Sequence, residues 1–179
     1  MALYFITGNR NKFEEAKSIL SDLKQLDIDL PEIQEIDAHE IIKAKLCEAL
    51  KHEKGELIVE DTSLYLDCLN GLPGPLIKWF LKTIGNEGLV NFVQKLGNDR
   101  AQARTIIGYA KNPEEIHFFE GVVRGIIVYP RDGTHFGWDP IFQPEGCTRT
   151  FSEMGPDEKN KISMRRMAFD KLKQFLGSA

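Results

Sequence analysis

Cysteine is scarce: the 179-residue chain holds three, Cys47, Cys68 and Cys147, far apart and in no C-x-x-C pair. An odd, scattered set makes neither a disulfide framework nor a zinc site, and it suits a reducing compartment. Positive charge is not in excess either. Lys plus Arg number 23 against 27 Asp plus Glu, a formal net charge of −4, so neither a nucleic-acid backbone nor an anionic membrane is an expected partner. A small polyphosphate needs only a local cluster of cations. No apolar run is long enough to cross a bilayer, and the first residues enter a strand without a basic, apolar leader, which gives a cytoplasmic location as the expectation. Repeats, low-complexity tracts and Gly/Ser/Pro linkers are missing as well. One domain over residues 1–179, with two closely joined lobes, is therefore expected.

What is present begins with "YFITGNRNKFEEAKSIL", residues 4–20. Tyr4, Phe5 and Ile6 are β-formers, whereas Phe13, Ala16, Ile19 and Leu20 recur at helical spacing, so the period switches across a short Gly/Asn/Lys turn. The first N–H groups of the helix lack intrahelical partners and carry the positive end of its dipole, a seat for phosphate oxygens. Gly8 lets the backbone come close, Thr7 and Asn9 add side-chain donors, and Lys12 adds a cation. An ordinary strand-to-helix connection capped by Asn9 or Asn11 fits the same residues. The spacing is not that of a Walker A loop.

Further along, 23–30 reads as a second strand and 38–55 as a helix ended by Gly55. Residues 56–75 read as a buried strand, an acidic corner at Glu60-Asp61, another strand and a Pro/Gly turn. Two amphipathic helices follow, separated by Gly85 and closed by Gly97. The later third is β-rich until about Ser152, and a single helix over 158–177 ends the chain. This order predicts an α/β protein with a long mixed sheet, flanking helices and two lobes around a central cleft, where ligands prefer to bind.

Carboxylates at the end of an apolar strand point to chemistry. Asp61 either caps a turn with Thr62 and Ser63 or faces a hard cation or a water. Magnesium takes few protein carboxylates and several substrate oxygens, so Glu32 with Asp61 or Glu60 would suffice, and a neighbouring carboxylate could orient an attacking water. Lys45 and Lys78 are each either solvated or part of a phosphate site with Lys12. In "HFGWDPIFQP", Phe136 and Trp138 flank Gly137 and precede Asp139-Pro140, whose preceding residue has restricted backbone freedom. These rings either stack on a base whose edge Asp139 reads, or fill the core. Lys159, Asn160, Ser163 and Arg165 add polar donors nearby in sequence.

In "TGNRNK" (7–12), "LPE" (30–32), "VEDTSLYLDCLNGLPGPLIKWF" (59–80), "FGWDPIFQP" (136–144), "FSEM" (151–154) and "EKNKISMRR" (158–166), the chain strongly resembles the inosine triphosphate pyrophosphatases, or Ham1 family, over essentially its full length. The resemblance implies a Ham1-like, Maf-like fold and a homodimer that cleaves ITP, dITP or XTP between the α and β phosphates with magnesium, or with manganese in its place. It implies that Thr7, Gly8, Asn9, Lys12, Lys45 and Lys78 hold the triphosphate. Glu32 and Asp61 would bind the metal. Asp61 is also the favoured base, with Glu60 or a metal-bound hydroxide as substitutes. Phe136, Gly137, Trp138 and Asp139 would cradle the purine, assisted by Lys159, Ser163 and Arg165.

One departure stands out. The family usually reads Ser-His-Arg where this chain has Ser163-Met164-Arg165, and methionine cannot donate the hydrogen bond expected for that His at the six-position oxygen. Losing it costs about 0.5–1.5 kcal/mol, so looser discrimination against ATP or GTP is expected, with catalysis retained. A donor from Arg165 or from the aromatic loop would still penalise adenine, whose amino group it meets with like against like. A nucleotide sensor on the same scaffold, or a pyrophosphatase for other modified nucleotides, are the alternatives.

Overall fold

The switch from period 2 to helical spacing resolves into β1 (Leu3–Ile6) and α1 (Arg10–Ile19) in the computed structural model, which describes residues 2–133 and 136–178. β2 (Lys24–Leu26) is shorter than the strand expected over 23–30, because the chain leaves the sheet at Asp27. α2 (Ala38–His52) stops before Gly55, at an extended Glu53 whose N–H bonds back to the Ala49 carbonyl. β3 (Glu56–Leu66) corrects a second expectation: it runs straight through Glu60-Asp61 without a corner. The strand needs no break there because Glu60 turns inward onto cations that compensate its charge.

β4 (Pro73–Gly74) folds back antiparallel onto β3. α3 (Ile77–Thr83) and α4 (Gly85–Leu96) follow, the latter closed by Gly97 in the left-handed region, as the glycine pattern predicted. β5 (Arg100–Asn112) and β6 (Glu115–Ile127) form a hairpin across a two-residue turn, and β7 (Phe142–Pro144) pairs antiparallel with β6. The expected closing helix is two: α5 (Pro156–Ile162) and α6 (Met164–Ser178) are separated by Ser163, which is extended (φ −68°, ψ 148°) and fully buried.

The result is an α/β fold on a seven-stranded mixed sheet, order β2-β1-β3-β5-β6-β7 with β4 beside β3. β1 is parallel to both β2 and β3. Among the described residues no helix is long and apolar enough to cross a membrane. All three cysteines are free thiols.

Two compact units divide the chain. The first comprises Met1–Asp61, Thr105–Gly121 and Arg165–Ala179, and its sheet is apolar on both faces. Successive strand residues alternate between them: Phe5, Ile58, Ile107 and Tyr109 pack with Phe13 of α1 and Phe169 and Leu172 of α6, whereas Ile6, Leu57, Val59 and Ile106 pack with Ile42 and Leu46 of α2. Gly108 permits that close approach, since a Cβ there would lie 2.2 Å from Ile42 Cγ2. The second unit comprises Thr62–Arg104 and Val122–Met164. Its core is one cluster in which Leu64, Ala103 and Val123 of the sheet meet Ile77 of α3, Leu89 and Val93 of α4, and the aromatic trio Trp138, Phe142 and Phe151. Each such large side chain contributes roughly 1.5–3 kcal/mol when fully buried.

Candidate functional site

In the first unit the turn between β1 and α1 is tied down by the Thr7 N–H, which donates to the Leu26 carbonyl at 3.2 Å. Asn9 caps the helix: its Oδ1 accepts from the Lys12 N–H at 3.1 Å, and its own N–H donates to Thr7 Oγ1 at 3.1 Å. The Arg10 and Asn11 N–H groups keep no hydrogen-bond partner among the described residues. Capping and anion binding are thus compatible: the cap uses the third donor of the first turn and leaves two for a ligand. At Gly8 a Cβ would lie 3.0 Å from Asp27 Oδ1, so a carboxylate stands against this turn.

Beneath the turn lies an ionic cluster. Glu60, with a side chain 1% exposed, receives the Arg165 guanidinium in a two-pronged pair, Nε to Oε2 at 2.7 Å and Nη2 to Oε1 at 2.9 Å. Lys12 Nζ lies 2.9 Å from Glu60 Oε1, and Arg165 Nη1 reaches Glu15 Oε2. Burial alone would favour the neutral acid, but the charges of Arg165 and Lys12 prevail and hold the Glu60 carboxyl well below the usual carboxylate range. Burial likewise opposes the Arg165 charge, and Glu60 and Glu15 push its affinity for the proton above the ordinary value. Two carboxylates and two cations leave the cluster neutral. Asp61, the next residue along β3, points to the opposite side of the strand and is half-buried.

Glu32 and Lys45 meet each other, Lys45 Nζ lying 2.8 Å from Glu32 Oε2. Among the described residues no group of three or more His, Cys, Asp or Glu is placed to hold a metal ion by itself. The donor chemistry of Glu32 and Asp61, oxygen only, fits a hard cation that fills its remaining positions with water and phosphate oxygens.

The second unit holds the aromatic stretch. His135, which opens it, lies outside the described residues. Trp138 is buried, edge-on to Phe142 at a centroid distance of 5.5 Å, so its indole belongs to the core. Phe136 is half-buried, with Lys159 Nζ 5.6 Å from its ring centre. The same Lys159 pairs with the buried Asp139 at 2.5 Å. Asn86, at the start of α4, donates from Nδ2 to the Gly137 carbonyl at 3.0 Å. Lys78 lies on the exposed side of α3, 5.7 Å from the Trp79 ring. Ser163 and Met164 are buried, Met164 inside the apolar cluster with Trp138 and Phe151.

The residues therefore form two groups, Thr7 to Lys12 with Glu60 and Arg165 in one unit, Phe136 to Asp139 with Lys159 in the other. Sequence reasoning missed Glu15, Asp27 and Asn86. Only Glu15 left a signal, its spacing of three from Lys12, which places both on one face of α1.

The Ham1 family model matches residues 3–175. This chain belongs to the Ham1 family. As a Ham1 protein it is 43% identical to the inosine triphosphate pyrophosphatase of Schizosaccharomyces pombe, over 99% of this chain and 96% of that one. It is 42% identical to the inosine triphosphate pyrophosphatase of Saccharomyces cerevisiae, covering 97% and 95%. Among solved structures, a HAM1 protein from Coxiella burnetii superposes with a TM-score of 0.87 at 25% identity, covering 99% and 98% of the two chains. The Staphylococcus aureus Ham1 protein gives 0.85 at 26%, covering 98% of each. Both groups of candidate residues fall within the matched Ham1 span.

Proposed function

We propose that this Ham1 protein hydrolyses nucleoside triphosphates carrying deaminated purines, ITP, dITP and XTP, to the monophosphate and pyrophosphate. The names of its relatives support the reaction. The observation that carries the reading within the fold is the ionic cluster of Glu60, Arg165, Glu15 and Lys12 under the N-terminal turn, with Asp61 next to it on β3.

The triphosphate is taken by Thr7, Gly8, Asn9 and the Arg10 and Asn11 N–H groups, with Lys12 as the principal cation and Lys45 and Lys78 contributing charge. Glu60 sets the direction of Lys12 and is no base, because a carboxylate locked between two cations has little affinity for a proton. Asp61 orients the water, whose oxygen bonds to the α phosphorus, and accepts its proton. The oxygen bridging the α and β phosphates then leaves with its electron pair as pyrophosphate, and the first-turn donors and Lys12 stabilise the charge that accumulates. Glu32 and Asp61 would hold magnesium, or manganese, which supplies neutralisation of phosphate oxygens when bound. Phe136 stacks on the base, Lys159 and Asp139 present polar edges, and the Gly137 and Trp138 main chain meets the base rim. Arg165, three of whose donors are spent on Glu60 and Glu15, holds the carboxylates rather than the base. A cytoplasmic homodimer, acting on free nucleotides and not on nucleic acid, completes the reading.

Incubation with ITP, XTP, dUTP, GTP and ATP plus magnesium, with product identification, tests it. IMP and pyrophosphate from ITP are expected, with Asp61→Asn lowering kcat by about 10²–10⁴-fold at unchanged Tm. Orthophosphate as the first product, preference for dUTP, or binding without turnover would overturn it.

A further inference from the structure

The turn at 136–139 has a defined geometry. The Asp139 N–H donates to the Phe136 carbonyl at 3.0 Å, Gly137 has φ +56°, and Trp138 has φ −99° and ψ 7°. These are the signs of a type II′ turn with glycine at its first central position. The peptide between Gly137 and Trp138 is the one unit of such a turn that its closing hydrogen bond does not hold, and it is held here from outside: Asn86 Nδ2 donates to the Gly137 carbonyl. Because a trans peptide is planar, its carbonyl and its N–H point in opposite directions. With the carbonyl drawn toward α4, the Trp138 N–H is turned away from α4. That N–H has no hydrogen-bond partner among the described residues. The space beside Gly137 is open, with no atom within 4 Å of where a Cβ would stand.

Asn86 itself is not satisfied as a structural residue would be. Its Oδ1 is buried without a hydrogen-bond partner among the described residues, while its Nδ2 is spent on this one carbonyl. Asn86 as a whole is half-buried, but an enclosed amide oxygen without a partner is costly and uncommon, and its retention needs a reason other than stability.

We propose that Asn86 is a specificity-determining positioning residue: it fixes the central peptide of the turn so that the Trp138 N–H is presented to the six-keto oxygen of a deaminated purine. The inference rests on the function proposed above and adds to it the group that reads the base. It also accounts for Met164 and Arg165. The first is buried and cannot donate; the second is committed to Glu60 and Glu15. A main-chain donor held in place by Asn86 supplies the contact that neither of them makes. Adenine brings an amino donor to the same point and leaves two donors face to face, so the fixed N–H rejects it. Without Asn86 the peptide can rotate, and the discrimination weakens while the reacting end of the substrate is untouched.

Two variants test this. Asn86→Ala removes the donor, and Asn86→Asp keeps the side-chain volume while replacing the donor with an oxygen that repels the Gly137 carbonyl. In both, KM for ITP is expected to rise about three- to tenfold, as for one neutral hydrogen bond. KM for ATP should change much less, the ITP-to-ATP preference should fall by the same factor, and kcat should fall by less than KM rises. A role limited to packing would leave Asn86→Asp like the parent. Unchanged ITP KM and unchanged ITP-to-ATP preference in Asn86→Asp overturn the inference. An unmodified protein that releases no pyrophosphate from ITP overturns the function on which it rests.

Discussion

In the first unit Glu60 lies 7% exposed between Lys12 and Arg165, and its charge is balanced by charge. In the second, Trp138 lies 6% exposed against Phe142 and Phe151, held by shape and apolar area. The two anchors are equally buried, yet they answer to different variables. The ionic one depends on the protonation state of its members and on every partner being present, because a buried charge that loses its counter-ion is left in a medium that cannot solvate it. The aromatic one is indifferent to pH and tolerates change in proportion to volume lost. In the function proposed above, phosphate binding rests on the first kind of anchor and base reading on the second, so affinity and selectivity respond to different changes.

That contrast can be broken in order of expected effect. Glu60→Ala strips Arg165 and Lys12 of their shared partner, and denaturant unfolding should show a loss of about 3–5 kcal/mol; a loss below 1 kcal/mol would mean the cluster is solvated. Acid comes next. The folded pKa of Glu60 is depressed below the 4.5 of the free side chain, so its stabilisation is complete above that value and disappears as pH falls toward the folded value. Hydrogen exchange should accordingly lose protection first in α1, the first half of β3 and α6, with α4 and β7 retained; simultaneous loss would erase the distinction. Met164→His places an imidazole in the apolar cluster of the second unit and should lower stability by about 1–3 kcal/mol unless it finds a partner. A stable variant with a stronger ITP-to-ATP preference would return the base contact to position 164. Smallest in its effect on the fold, Phe136→Ala removes a half-buried ring; KM for ITP should rise by roughly 1–3 kcal/mol worth of stacking while Tm moves little.

Much of this was legible in the chain itself. The period switch at Ile6 to Phe13 located the first turn and its helix, and Gly85 and Gly97 marked the ends of α4, because local backbone preferences decide such points. What could not be read was what depends on distant residues. Glu60 looks like part of a corner because nothing near it in sequence explains an acid in an apolar strand; its explanation, Arg165, lies 105 positions away. The break at Ser163 carries no Pro or Gly, and the extended backbone there is set by tertiary packing of a buried serine. Trp138 in the core and Asn86 on the Gly137 carbonyl, 51 positions apart, are likewise facts of packing that no local pattern encodes.

The composition of the first unit from three separated stretches, the last being Arg165–Ala179, has a consequence for how the protein is made. A ribosome that has delivered β1, α1 and β3 has produced an acid whose main counter-ion is not yet synthesised. Until Arg165 at the start of α6 emerges, Glu60 has Lys12 but not the two-pronged guanidinium contact. Closure of the ionic cluster is thereby postponed until Arg165 has been made, and a chain truncated ahead of Arg165 carries an acid without the guanidinium that balances it.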